Sequence, residues 1–212
     1  MIPVQAKPEP PEFDDRVRTP GKEFLATCPR PTTKQYSSRN YWRKVLPQLY
    51  ESYDGICVFS CQWISPPPTG FGTVEHFKPK KKYPQFAYEW DNYRLVCGAL
   101  NGCKGEHEDV LDPFTIQDGW FVIRFPSLLV TPNDNLAART SRQVQATIDR
   151  LKLNNELTCV SGRLQWLAEY CKLATDITEE IAFNYLRRRA PFIAVELDRQ
   201  RLRGTICEML RM

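Results

Sequence analysis

The sequence lacks a long hydrophobic run and has very little histidine. No uninterrupted apolar stretch in its 212 residues approaches the roughly 18 to 20 residues that a membrane-spanning helix needs. The first 15 residues are too rich in proline and charge for the apolar core of a secretory signal, so we expect a cytoplasmic protein without membrane contact. Because His76 and His107 are its only histidines, any mechanism that requires an imidazole must use one of them.

A strong excess of charge is also lacking. The chain has 29 lysines and arginines against 25 aspartates and glutamates, and this balance does not by itself identify a nucleic-acid binder. With 42% hydrophobic residues, the composition is that of a folded protein and excludes a wholly disordered chain. A chain of this length can bury a core without cross-links. We therefore expect its eight cysteines to be free thiols or metal ligands.

Prolines and hydrophobic patterns divide the chain into three regions. Seven of the 17 prolines lie within the first 35 residues and predict an irregular arm over 1–36. Short apolar runs between turn residues predict strands and short helices over 37–138. Over 139–212 the apolar residues recur at helical spacing, which predicts an α-helical region. The expected fold class is α+β, and we expect the five tryptophans, Trp42, Trp63, Trp90, Trp120 and Trp166, to lie in the core.

The residues that carry chemistry lie between positions 75 and 105. Glu75 and His76 are adjacent, Asn92 follows, and Asn101 comes nine residues after Asn92. An imidazole titrates near neutral pH and can take a proton from water. Carboxylate and amide oxygens are hard ligands that Mg²⁺ or Mn²⁺ accepts. An activated water and a cation beside the leaving oxygen are what hydrolysis of a phosphodiester bond requires.

These residues resemble the HNH, or ββα-metal, nuclease family, which has an acidic–His pair, a proline, an Asn and then a His or Asn in this order. Lys104-Gly105 stands where the family usually has a basic residue and a glycine. The resemblance implies a ββα-metal motif in a nuclease domain over 37–138. It implies that His76 is the general base and that Asn92 orients it. It also implies that Glu75, where the family more often has Asp, and Asn101 bind one Mg²⁺ or Mn²⁺ ion.

Lysines surround these residues. They are Lys78, Lys80, Lys81, Lys82 and Lys104. On the nuclease interpretation, these lysines contact phosphates of the substrate. The run over 78–82 also has the composition of a nuclear import signal, which is the alternative. A second basic cluster, Arg187–Arg189 with Arg199, Arg201 and Arg203, has three interpretations of similar weight: a nucleic-acid surface, a surface for an acidic partner, or a solvated helix face.

The cysteines depart from the pattern of the family. Many HNH proteins hold a structural zinc ion with two C-x-x-C pairs, but Ser60 and Leu100 stand at two of the required positions. The remaining candidates form only a C-x₃-C and a C-x₅-C pair. We expect a fold without zinc, and the alternative is a zinc site made of Cys57, Cys61, Cys97 and Cys103.

The broad layout resembles the HNH nucleases that are paired with ATPases in Septu-type and retron-associated anti-phage systems. This implies a nuclease effector in a bacterial defence complex, with DNA favoured over RNA or tRNA as the substrate. It also implies an ATPase of the ABC/SMC class as the partner, docked on the region over 139–212, and self-association stays open. The alternative function is a catalytically inactive adaptor that binds nucleic acid or a partner, and a zinc-dependent binding domain is a third. The complete set of Glu75, His76, Asn92 and Asn101 favours the nuclease.

Overall fold

The computed structural model describes residues 1–66, 70 and 72–210. It is a mixture of helices and strands, which confirms the α+β class. None of the helices within these residues combines the length and the apolar character that crossing a membrane would require. The chain forms two compact units, of which the first comprises Met1–Val4, Val58–Trp63 and Asp109–Met212, and the second comprises Gln5–Cys57 and Ile64–Glu108. The region over 109–138 thus groups with the C-terminal helices, and the independence of the three predicted regions stays a prediction.

Among its described residues, the second unit contains a short strand hairpin and four α-helices. Strands β1 and β2 are antiparallel, with Thr73 opposite Val96 and His76 opposite Tyr93. Single turns of 3₁₀ helix lie at Tyr41–Val45, Pro84–Phe86 and Trp90–Asn92, and a π-helical turn lies at Asp14–Arg18. The regular elements are α1 (Thr19–Thr27), α2 (Thr33–Ser38), α3 (Leu46–Ser52), β1 (Thr73–His76), β2 (Tyr93–Val96) and α4 (Gly98–Lys104).

The first 36 residues were predicted to be irregular, but they contain α1 and most of α2. Pro20 is the second residue of α1, directly after the π-helical turn Asp14–Arg18 that runs into this helix without a break. The side chain of Thr32 accepts a hydrogen bond from the backbone N–H of Gln35, and the Gln35 side chain accepts one from the backbone N–H of Thr32. This reciprocal cap starts α2 directly after the last prolines of the segment. Prolines therefore limit where these helices begin without preventing them.

Within the described residues, the first unit contains a second hairpin, five α-helices and a π-helical turn at Glu156–Val160. Strands β3 and β4 are antiparallel, with Phe121 opposite Pro132. The buried carboxylate of Glu196 in α8 accepts a hydrogen bond from the backbone N–H of Ile123, which ties the hairpin to the helices. The elements are β3 (Phe121–Arg124), β4 (Leu129–Pro132), α5 (Ala138–Leu151), α6 (Ser161–Asp176), α7 (Glu179–Arg189), α8 (Pro191–Gln200) and α9 (Ile206–Met209).

Two cysteines are cross-linked, contrary to the expectation that the cysteines are free thiols or metal ligands. Cys171 of α6 and Cys207 of α9 form a disulfide bond, with Cα atoms 5.4 Å apart. The two residues are 36 positions apart in sequence, so only the packing of α9 against α6 brings them within bonding distance. The other six cysteines form no disulfide bond.

Candidate active site in the hairpin and helix of the second unit

The residues that were predicted to carry chemistry lie on β1, on the turn before β2, and on α4. Glu75 and His76 are the last two residues of β1, and both are buried. Asn92 immediately precedes β2, and Asn101 lies in the middle of α4. The second unit therefore has the order strand, strand, helix that the family resemblance implies. The metal-binding character of such a motif stays a prediction.

Asn92 fixes the long connection between the two strands. Its Oδ1 accepts a hydrogen bond from the backbone N–H of Lys78 at 2.7 Å. Its Nδ2 donates to the carbonyl oxygens of Lys78 and Phe86, both at 3.0 Å. One buried amide thus satisfies three backbone groups that would otherwise be left unpaired. It holds the segment after His76 against the segment that leads into β2.

His76 is buried, and one of its ring nitrogens has a defined partner. Nε2 lies 3.0 Å from the carbonyl oxygen of Ala87, which also accepts a hydrogen bond from the hydroxyl of Tyr93. The ring stands edge-on to Trp42, with ring centres 4.7 Å apart. Burial, reinforced by the positive charge of Lys80, lowers the pKa of His76 to about 3. The imidazole is therefore neutral at pH 7.

Glu75 forms an ion pair with Lys104 of α4. Nζ of Lys104 lies 2.7 Å from Oε1 of Glu75, and the Lys104 side chain has no exposed surface. The same ammonium group contacts the carbonyl oxygen of His76 at 3.4 Å. Burial raises the pKa of the Glu75 carboxyl, and the positive charge of Lys104 acts in the opposite direction. Lys104, which was predicted to contact substrate, is enclosed beneath the site.

Asn101 is oriented by a neighbouring hydroxyl. Nδ2 of Asn101 lies 2.7 Å from Oγ1 of Thr73, and the Thr73 hydroxyl donates its proton to the carbonyl oxygen of Val96. Because that proton is already used, the Thr73 oxygen must accept from the amide N–H of Asn101. The amide orientation is thereby defined. Oδ1 of Asn101 and Oε2 of Glu75 make no hydrogen bond within the described part of the chain.

A pocket of about 230 Å³ joins these groups. Glu75, His76 and Asn101 all line it, and so do Lys80 and Lys81. Another part of its wall comes from the N-terminal segment, which sequence reasoning did not connect with the site. Those residues are Pro31, Thr33 and Tyr36. No sequence signal identifies them, because no short motif links this segment to residues some 40 positions later.

The predicted substrate-binding lysines differ in their surroundings. Nζ of Lys80 lies 5.2 Å from the ring centre of Trp42, and burial lowers the pKa of this ammonium. Lys81 is exposed and pairs with Glu106 at 3.3 Å. Lys82 is also exposed and pairs with Glu108, and Lys78 lies over the ring of Phe86 at 4.0 Å. Lys80 and Lys81 are the two members of the set that line the pocket.

The donor atoms of the site suit a hard divalent cation. Glu75 and Asn101 offer a carboxylate and an amide oxygen, and Mg²⁺ typically uses one or two such ligands while it keeps several waters. Within residues 1–66, 70 and 72–210, no three His, Cys, Asp or Glu side chains are grouped to hold a metal ion. Of the four cysteines proposed for zinc, Cys57 accepts a hydrogen bond from the backbone N–H of Cys97 at 3.5 Å. Cys103 lies on α4 in the same unit, whereas Cys61 belongs to the first unit.

Comparison with known proteins finds one partial likeness. A segment of 65 residues is 34% identical to the Septu protein PtuB of Bacillus thuringiensis. It covers 31% of this chain and 25% of that protein, so the chain matches about a quarter of the length of the relative. No protein-family model matches the sequence.

Proposed function

We propose that this protein is a metal-dependent endonuclease of the HNH type that hydrolyses phosphodiester bonds in nucleic acid, with DNA favoured over RNA or tRNA. One observation carries the proposal: a neutral imidazole of defined tautomer lines the same pocket as two oxygen groups that suit a metal ion and a half-buried ammonium. These groups are His76, Glu75, Asn101 and Lys80. They are the groups that attack by water on a phosphodiester requires.

His76 would act as the general base. A carbonyl oxygen can only accept a hydrogen bond, so Nε2 of His76 carries the proton that points to Ala87. Nδ1 then carries the lone pair, and it is the ring nitrogen that can take a proton from a water molecule. Fixing the tautomer through the second nitrogen is a common way to prepare a histidine for this role.

Glu75 and Asn101 would hold the divalent ion, which would neutralise negative charge on the phosphate and on the leaving oxygen. Lys104 then acts by positioning Glu75 rather than by binding substrate, because its ammonium is buried against Oε1 and leaves Oε2 for the ion. Lys80 and Lys81 would bind the phosphate that enters the pocket.

The likeness to a Septu protein supports a role in anti-phage defence. On the family resemblance, the partner would be an ATPase of the ABC/SMC class, and the nuclease would be the effector of the complex. The matched segment covers about a third of the chain, and it supports the association with Septu defence alone. The partner and the target are proposals that need the direct test below.

The ion pair between Glu75 and Lys104 favours a second candidate. A carboxylate that is neutralised by a buried lysine binds a metal ion less readily than a free one, since the ion must compete with the ammonium. The chain would then be an inactive adaptor that keeps the nuclease scaffold and binds nucleic acid or a partner. The two candidates differ in a single measurable property, which is hydrolysis.

The test is a cleavage assay on the full chain, alone and together with an ATPase if a neighbouring gene encodes one. Supercoiled plasmid, linear single-stranded DNA and tRNA are incubated with Mg²⁺, with Mn²⁺ and with EDTA. Cleavage that depends on the added metal supports the nuclease. Binding without cleavage of any of these substrates, with the partner present, supports the adaptor instead.

A further inference from the structure

The first unit carries a cluster of aromatic rings around one arginine. Cζ of Arg189 lies 3.8 Å from the ring centre of Trp63 and 5.8 Å from that of Tyr185. Trp166 completes the cluster, with ring centres 6.4 Å from Trp63 and 6.3 Å from Tyr185. All four side chains are partly exposed, and so is that of Trp120. The prediction that Trp63, Trp120 and Trp166 lie in the core is therefore wrong. The backbone N–H of Trp63 donates to the carbonyl oxygen of Arg189 at 2.7 Å, which holds the cluster together.

The arginines beside this cluster are not neutralised by acidic groups. α7 ends in Arg187, Arg188 and Arg189, of which the first two are exposed. Within the described residues, no carboxylate lies within 4.0 Å of any of the three guanidinium groups. By contrast, Arg199 and Arg203 of the same unit pair with Asp118 and Asp198. The positive charge at the end of α7 is therefore available to a ligand.

We propose that these residues form a binding surface for single-stranded nucleic acid, distinct from the candidate active site. This aromatic–arginine surface consists of Trp63, Trp166, Tyr185 and Arg187–Arg189. Unpaired bases would stack on the exposed parts of the rings, and the guanidinium groups would bind the phosphates between them. Aromatic stacking combined with arginine contacts is how sequence-tolerant single-strand binders work.

The chemistry of the surface favours this ligand over an acidic protein. A guanidinium group is planar and presents its N–H donors as a fork that matches two phosphate oxygens. Arg189 uses its face on Trp63, and its N–H donors make no hydrogen bond within the part of the chain that the structure describes. Aromatic rings next to guanidinium groups match a single strand, in which bases that can stack alternate with phosphates that can accept hydrogen bonds. A duplex is less suitable, because its bases are already stacked on each other.

Binding can be measured on the full chain in EDTA, where metal-dependent cleavage does not interfere. The probe is a fluorescein-labelled oligonucleotide of about 12 nucleotides, within the usual site sizes of single-strand binders. The test variant is R187Q/R188Q, and its matched control is R139Q/R142Q. The control removes the same charge from exposed arginines of α5 in the same unit. Far-ultraviolet circular dichroism checks that each variant is folded.

We expect R187Q/R188Q to reduce the slope of log K against log salt by about 1.4, since each phosphate contact to a single strand contributes about 0.7. The control should leave this slope unchanged. Tyr185→Leu should weaken binding roughly 5- to 150-fold, which corresponds to one stacked base. Tyr185→Phe keeps the ring and should restore binding.

Several results would overturn this proposal. One is an equal loss of slope in both double variants, which would show only a general effect of charge. Unchanged binding by Tyr185→Leu, or equal binding of an abasic oligonucleotide, would exclude stacking. Competition by poly-glutamate as strong as that by unlabelled oligonucleotide would indicate an acidic protein partner. Because this binding is measured in EDTA and needs no cleavage, a failure of the nuclease proposal would leave the result unaffected.

Discussion

Nε2 of His76 lies 3.0 Å from the carbonyl oxygen of Ala87, and this contact determines which ring nitrogen carries the proton. The same carbonyl accepts the hydroxyl proton of Tyr93 at 3.0 Å, so its position is fixed from two sides. Buried, neutral and held in one tautomer, this imidazole differs from an ordinary surface histidine.

We expect His76→Ala to reduce metal-dependent cleavage by roughly 10²- to 10⁴-fold, which is the usual contribution of a general base. The matched control is His107→Ala, because His107 is the other histidine of the chain and is exposed. Initial rates of plasmid nicking measure both variants against the wild type. If His76→Ala cleaves at the wild-type rate, another group is the base.

Stability should depend on pH through His76. Its pKa is about 3 in the folded chain, whereas an unfolded histidine has a pKa near 6.5. Between these values the unfolded chain binds more protons, so its population rises and stability falls as the pH drops from about 6.5 towards 3. His76→Gln has no titrating ring and can still donate to Ala87.

The measurement is urea unfolding of both proteins at several pH values over that range. As the pH falls, the unfolding free energy of the wild type should decrease relative to that of His76→Gln. A difference that stays constant over the whole range would mean that His76 titrates alike in the folded and unfolded states.

Lys104→Met should destabilise the second unit strongly. It leaves the buried carboxylate of Glu75 without its partner, and breaking a buried ion pair from one side typically costs about 3 to 5 kcal/mol. The double variant Glu75→Gln/Lys104→Met removes both charges and should recover much of that loss. Lys81→Met is the control, because Lys81 and Glu106 form an exposed pair that is worth at most about 1 kcal/mol.

Urea unfolding of the wild type, Glu75→Gln, Lys104→Met and the double variant gives the coupling energy between Glu75 and Lys104. If the effects of the two single substitutions simply add, the two residues do not form a specific buried pair. The same follows if Lys81→Met loses as much unfolding free energy as Lys104→Met.

Glu75→Ala should raise the Mg²⁺ or Mn²⁺ concentration that gives half-maximal cleavage more than it weakens nucleic-acid binding. The reason is that the loss of a carboxylate ligand weakens the binding of the metal ion directly, whereas it affects the binding of nucleic acid only through the metal ion. Glu108→Ala serves as the control, because Glu108 is an exposed carboxylate that pairs with Lys82. Metal titrations of cleavage and binding titrations in EDTA separate the two effects. Full activity in excess chelator would refute the metal requirement.

The sequence by itself predicted the local elements of the candidate site. Strand β1 follows from a short apolar run between turn residues, because such patterns act over a few neighbouring residues. The residues after Asp91-Asn92 were predicted only as a short helix or an extended piece, and the order of β2 and α4 was implied by the family resemblance. The apolar periodicity after residue 139 likewise predicted helices, and α5 to α9 confirm it. The spacing from Glu75 to Asn101 also selected residues that the structure brings to one pocket.

The tertiary structure decided what surrounds those residues. Tyr36 reaches the pocket, Lys104 is enclosed against Glu75, and Cys171 bonds to Cys207. Each of these outcomes depends on segments that are distant in sequence and that pack together only after folding. A lysine beside a catalytic pattern has the same local sequence whether it faces a phosphate or a buried carboxylate. The difference lies in burial and in the partner that burial supplies, and neither is encoded in the spacing of residues along the chain.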